Sequence, residues 1–183
     1  MVSPRVFNKQ IENRNFLSPV GFQFSLAKEP KAVFFCNSAR IPEISLSVTR
    51  QSSYLKDLDV PGEKLTYGDL TLRFLVDENM ENYMSIHNWL TGLGFPETTN
   101  QYKKLTTKND GVMDEKQAFS DGSLHILNSN YRKTATVKFK DLFPVSLTSL
   151  DFDSTASDIQ YFTADVSFKY TIYDILGTNG KPL

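Results

Sequence analysis

Apolar and polar residues alternate one for one along much of this chain, and the alternation marks out its strands. Phe22, Phe24 and Leu26 face Gln23 and Ser25 across the backbone, and Ala32 to Cys36 follows the Lys28-Glu29-Pro30 turn, which together predict a hairpin. Ile44, Leu46 and Val48 repeat the pattern after the break around Pro42, as do Leu70, Leu72, Phe74 and Val76. Leu124 to Leu127 reads as a further strand, and Ala135, Val137 and Phe139 alternate within Lys133 to Lys140 until Asp141-Leu142-Phe143-Pro144 ends the run. The clearest stretch lies near the C-terminus. Phe162, Ala164, Val166, Phe168, Tyr170 and Ile172 face one way and Tyr161 to Tyr173 the other, which predicts one long, half-buried antiparallel strand.

One segment breaks this rhythm. After Asp77-Glu78 the spacing becomes helical, with Tyr83, Ile86, Leu90 and Leu93 on one side and Met80, Met84 and His87 beside them. Asp77 or Asn79 caps the start, and Gly92, Gly94 and Pro96 stop it. The expected fold class is therefore mainly β, a β-sandwich or half-barrel of antiparallel strands with one covering α-helix. Residues 1–183 read as a single domain, with an N-terminal arm at 1–19, a ribbon or loop at 50–69, a polar insertion loop at 95–121 and a tail at 176–183. A polar connection of that length is expected to be functional or mobile.

Composition narrows the function classes more than it selects one. A hydrophobic content of 40% is that of a globular domain with a sizeable core. Twenty basic against 21 acidic residues leave a formal charge of −1, so no global field attracts nucleic acid or an anionic membrane. No apolar run reaches the roughly 20 residues that span a bilayer, and charges occupy the N-terminal positions where a signal peptide needs an apolar core. These features predict folding in the cytoplasm.

Candidate chemistry is sparse. His87 and His125 lack a second histidine or a cysteine at metal-ligand spacing, so a structural or surface role is expected for both. Cys36 is the single cysteine, and without a flanking nucleophile signature it reads as a buried structural thiol rather than a hydrolase nucleophile. Gly92-x-Gly94 follows a helix instead of opening one and so cradles no phosphate. Asp151, Asp153, Ser154 and Asp158 offer alternate oxygens but lack the central Gly and final Glu of a calcium loop, which favours a solvated turn. The lysines between Lys103 and Lys116 are interleaved with Asp110, Asp114 and Glu115, more like a soluble loop than a phosphate grip. The reading is of a protein without catalytic, cofactor or metal sites, working through its surfaces.

Several segments in order resemble the tail-tube proteins of contractile, T4-type bacteriophages, a family related to type VI secretion tube proteins. They are Cys36-Asn37-Ser38-Ala39-Arg40-Ile41-Pro42, the strand Ile44 to Val48, the turn Val60-Pro61-Gly62-Glu63 leading to Tyr67-Gly68-Asp69-Leu70-Thr71-Leu72, and the Tyr83 to Leu90 helix with Trp89. Lys140-Asp141-Leu142-Phe143-Pro144-Val145, Leu150-Asp151-Phe152-Asp153 and Ile159-Gln160-Tyr161-Phe162 complete the set, which covers about residues 20 to 175.

The resemblance implies a structural virion protein. Subunits of such a family join their strands into a hexameric, ring-shaped β-barrel, and rings stack into an inner tail tube. Its implied partners are other copies of itself, the contractile tail sheath protein, the tape-measure protein, baseplate tube-initiator proteins, and viral DNA passing through the lumen without specific binding. Its implied location is the virion, after assembly in the host bacterial cytoplasm. Under this reading Thr134, Thr136, Lys138, Thr163, Asp165, Ser167 and Lys169 face the channel, a wall of mixed charge and hydroxyls along which a polyanion slides. Leu55, Leu58, Val60 and Glu63, with the 1–19 arm, are the candidate inter-ring contacts. Two alternatives stand beside it: a baseplate-proximal initiator ring of the same fold, and a monomeric β-sandwich binding module that uses the 95–121 loop.

Overall fold

The computed structural model describes residues 17, 19–28, 36–107, 113–152 and 161–182. Its strands are β1 (Phe22–Leu26), β2 (Cys36–Ala39), β3 (Ile44–Gln51), β4 (Leu58–Tyr67), β5 (Leu70–Leu75), β6 (Ser120–Leu127), β7 (Lys133–Leu147), β8 (Thr163–Lys169) and β9 (Ile172–Gly177). Helices α1 (Glu81–Gly94) and α2 (Thr99–Thr106) and a single 3-10 turn at Glu115–Ala118 lie between β5 and β6. All pairings are antiparallel. The first half of β7 lies between β6 and β9, with β1 beyond β6; its second half pairs with β8, which leads on to β5 and β2.

The long strand β7 is thus common to two sheet halves that fold over one core, and they do not close into a barrel within the subunit. Phe24, Leu26, Leu124, Val137, Phe139 and Leu142 fill the core from one half. Leu70, Leu72, Phe74, Ala164, Val166 and Phe168 fill it from the other. These are the inward members of the alternating sets, as the period-two pattern requires.

The Asp141-Leu142-Phe143-Pro144 segment, expected to end a strand, instead bends one. Asp141 takes the left-handed conformation (φ 55°), which a short polar side chain tolerates better than most. Leu142 is then fully buried and pairing continues to Leu147. The C-terminal stretch bends opposite it. Instead of one strand, β8 and β9 are separated at Tyr170–Thr171, where the Thr171 amide donates to the Lys140 carbonyl at 3.0 Å. The bend changes which residues look inward: Tyr170 and Tyr173 both pack on Phe139, with ring centroids 5.2 and 5.6 Å away, while Ile172 is exposed.

The second arm of the expected hairpin, Ala32 to Cys36, lies outside the described residues up to 35. Among the described residues β1 pairs with β6 and β2 pairs with β5, on opposite edges of the sheet order. Alternation identifies a strand but carries no information about its partner. Helix α1 begins without either expected cap. Met80 occupies the capping position with φ 56°, and Asn82 ties the corner instead, its Nδ2 donating to the Leu75 carbonyl at 2.7 Å while Oδ1 accepts from the Asp77 amide at 3.3 Å. The buried stripe of α1 is Asn82, Ile86, Trp89 and Gly92, and Met84 and His87 are exposed.

The polar stretch 95–121 is not an extended loop where it is described. It holds α2 and the 3-10 turn, and Asp114 caps that turn by accepting from the Lys116 amide at 3.1 Å. A Cβ added at Gly92 would lie 3.3 Å from Leu105 Cβ, so the glycine is what lets α2 lie this close to α1. Trp89 links the turn to the core by donating from Nε1 to the Ala118 carbonyl at 2.9 Å.

Candidate assembly surfaces

Strands β3 and β4 form a two-stranded sheet of their own, with register from Ile44↔Tyr67 to Gln51↔Leu58. Almost every residue of this ribbon is solvent-exposed, including Ile44, Leu46, Val48, Leu58, Val60 and Leu65. At its tip Tyr54 is 101% and Leu55 91% exposed. A lone two-stranded ribbon is at best marginally stable in water, and exposing this many large apolar side chains on it marks a surface to be covered.

The ribbon is rooted firmly. The Gly68 amide donates to the Glu43 carbonyl at 3.0 Å, closing its base. The Tyr170 hydroxyl donates to the Gly68 carbonyl at 2.9 Å and that of Tyr173 to the Pro42 carbonyl at 3.3 Å, while the Tyr67 ring stands edge-on to both tyrosines. Burial first, then the neighbouring Tyr173, Tyr67 and Asp69, push the Tyr170 phenol up to about 12. The Tyr170 hydroxyl therefore donates across the whole neutral range.

Val60-Pro61-Gly62-Glu63, expected as a turn, lies inside β4 as a bulge opposite Ser47. Pro61 is tolerated because the ribbon has free outer edges. A Cβ at Gly62 would sit 2.7 Å from the Ser47 carbonyl oxygen, so the close strand approach requires glycine there. The chain reverses instead between Gln51 and Leu58. Leu55, Leu58, Val60 and Glu63, the expected contact residues, are all exposed on this ribbon. Ile44, Leu46 and Val48 join them, although their alternation reads as that of a core strand. The arm falls outside the described residues up to 16 and at 18.

The expected channel residues divide between two surfaces. Thr163, Asp165, Ser167 and Lys169 point outward from β8, between the buried Ala164, Val166 and Phe168. Asp165 meets Arg73 of β5 in a two-pronged ion pair, Nε to Oδ1 at 2.8 Å and Nη2 to Oδ2 at 3.1 Å. This hydrogen bonding raises the Arg73 pKa further. Lys169 pairs with Asp69 at 2.5 Å. Thr134, Thr136 and Lys138 lie on the first half of β7, opposite the core from β8. The Thr134 hydroxyl donates to the Ile126 carbonyl at 3.1 Å, Thr136 Oγ1 meets His125 Nδ1 at 3.1 Å, and Lys138 stands across from Asp174. Because the two sheet halves bury opposite sides of one core, a single channel takes one of these faces and not both. The pairing of Arg73 and Asp69 with β8 residues is invisible along the chain, since it depends on which strands become neighbours.

The remaining candidates are structural where described. The Cys36 thiol packs against the core, hydrogen-bonds the Ser38 carbonyl at 3.3 Å, and is pushed up by burial to about 11, so it is a poor nucleophile. Burial, with the Lys133 and Lys138 charges, holds His125 below its ordinary pKa. No group of three potential metal ligands occurs among the described residues, and Asp153, Ser154 and Asp158 lie outside them. No helix is long and apolar enough to cross a membrane among the described residues.

The fold has counterparts among solved structures. A chain of the anti-feeding prophage tube-terminating cap superposes with a TM-score of 0.60 at 16% identity, covering 95% of this chain and 99% of that one. A chain of the PVC sheath-tube complex, an extracellular contractile injection system in its extended state, gives 0.57 at 17% identity, covering 90% and 94%. A chain of the anti-feeding prophage baseplate gives 0.58 at 14%, covering 85% and 91%. At these identities the likeness is one of fold. No curated protein matches by sequence. A family described as phage tail tube protein matches residues 5–176, nearly the whole chain, and the protein accordingly belongs to this family of structural tube proteins rather than to any class of enzymes.

Proposed function

We propose that this protein forms hexameric rings that stack into the inner tube of a contractile tail, a conduit for the tape-measure protein and the viral DNA. The observation that carries the reading is the exposed β3–β4 ribbon, an apolar element that none of the described residues of its own subunit covers. Stacking on the next ring removes that surface from water.

Sheet edges support the ring. β2 pairs only with β5, and β7 beyond Pro144 pairs only with β8, so among the described residues the β7-β8-β5-β2 half presents a free strand edge on each side. Exposed edges invite further pairing, and pairing with neighbours around a closed ring removes the hazard. The outward face of this half then lines the channel with Thr163, Asp165, Ser167 and Lys169. Arg73 and Lys169 are neutralised by Asp165 and Asp69 on that face, which gives a polyanion little to hold. Thr134, Thr136 and Lys138 face the outside, where a sheath protein grips the tube, and baseplate initiator proteins start it. The finished tube belongs to the virion and assembles in the host bacterial cytoplasm.

Negative-stain electron microscopy across a concentration series tests this directly. Hollow rings or stacked tubes are expected; monodisperse particles of 20.8 kDa at every concentration overturn it.

A further inference from the structure

We infer that the ribbon tip of one copy inserts into a cavity at the opposite end of a second copy, between the start of α1 and the entry to β8. This rests on the reading of the chain as a stacking tube subunit and names the receiving site. The cavity has a volume of about 640 Å³ and is walled by Leu75, Val76, Met80, Leu150, Phe152 and Phe162. Asp77 and Glu78 add negative charge to the same wall. Asp77 Oδ1 is buried and has no hydrogen-bond partner among the described residues, an arrangement that is costly until a donor arrives.

The tip has the complementary chemistry. Tyr54 and Leu55 are almost wholly exposed, and Lys56 follows them directly. Two large side chains enter an apolar socket of ligand-binding size, about 300–1,000 Å³. The lysine reaches the carboxylates, so apolar and charged features match in the same order.

Position makes the match usable for stacking. The ribbon leaves the sheet next to Leu70, where Lys169 of β8 holds Asp69. The socket lies at the other end of the same two strands, where Leu75 pairs with Thr163 and the Val76 amide donates to the Phe162 carbonyl at 2.9 Å. About 20 Å of strand, at roughly 3.3 Å per residue, separates the ribbon's root from the socket. A plug carried on a ribbon rooted at one pole and a socket at the other form a head-to-tail contact, so every copy gives one and receives one, and the series continues from copy to copy. A self-complementary contact would instead stop at two.

The test uses full-length protein. Reversing the exposed Glu78 (Glu78→Lys) is expected to raise the concentration needed for tubes by about tenfold or more, the scale of like charges opposed across an interface. Adding Lys56→Glu to that variant restores assembly. Mixing Leu55→Cys with Phe152→Cys protein and adding a short bismaleimide joins the two variants. The companion variant Leu55→Asp separates the possible failures. If Leu55→Asp blocks stacking while Glu78→Lys assembles normally and no crosslink forms, the tip docks elsewhere; the socket is overturned and the stacking role of the ribbon stands. If Leu55→Asp also assembles normally, or the wild type forms no tubes, socket and stacking role fall together.

Discussion

The Tyr170 hydroxyl donates a 2.9 Å hydrogen bond to the Gly68 carbonyl, tying the bend between β8 and β9 to the root of the ribbon. The residues are far apart in sequence, and their contact anchors the root of the ribbon to the body. Removing the hydroxyl with Tyr170→Phe is expected to cost about 1 kcal/mol, the usual net value of one such bond. A lower urea midpoint with an unchanged slope is the expected measurement.

The same hydroxyl has a pH signature. Its folded pKa of about 12 exceeds its ordinary 10.0, so the neutral form is favoured by folding. That stability is fully present below pH 10 and is lost as the pH rises through 12. Alkaline unfolding should therefore be steeper in this window for the wild type than for Tyr170→Phe; identical profiles would remove the tyrosine from that role.

Trp89 is 2% exposed and its indole N–H satisfies the carbonyl of Ala118, which is itself buried. Trp89→Phe leaves that carbonyl without its donor and a gap beside Phe168, for an expected loss of about 2–4 kcal/mol. Chemical denaturation gives the value. Since α2 and the 3-10 turn are linked to the core here, proteolysis within 99–118 should become faster.

Alanine at Gly62 would bring a Cβ to 2.7 Å from the Ser47 carbonyl oxygen and force the two ribbon strands apart. None of the core cluster belongs to the ribbon. Gly62→Ala is accordingly expected to leave the thermal midpoint within about 1 °C, in line with a change outside the core, and to reduce tube formation. Electron microscopy and calorimetry on the same sample separate these effects.

Asp165→Lys replaces the partner of Arg73 with a second cation and leaves a positive cluster on the outward face of β8. In assembled particles this is expected to slow genome ejection by adding phosphate attraction. Ejection at wild-type speed from normally assembled tails would take Asp165 off the channel wall.

The Cys36 thiol, raised by burial to about 11, should react with maleimide at pH 8 far more slowly in the folded protein than in urea. Equal rates would place it at the surface.

Along the chain, period two was enough to locate the inward residues Phe24, Leu72, Phe74, Val137, Phe139, Ala164, Val166 and Phe168, because burying one face of a strand constrains every second side chain locally. The change to helical spacing after Asp77 located α1 in the same way, and an ordered series of short segments carried the family resemblance. Partnership was beyond that signal. That β1 joins β6 and β2 joins β5, that β7 bends at Asp141 instead of ending, and that β8 and β9 bend with it all depend on contacts between residues distant in sequence. Helix α2 is not legible in the sequence because its eight residues are mostly polar, and the packing of its Leu105 against the core, over Gly92 of another helix, is fixed only by the tertiary structure. The ribbon shows the limit most clearly: Ile44, Leu46 and Val48 alternate like core residues, yet tertiary structure leaves them exposed, because none of the described residues of their own subunit comes to cover them.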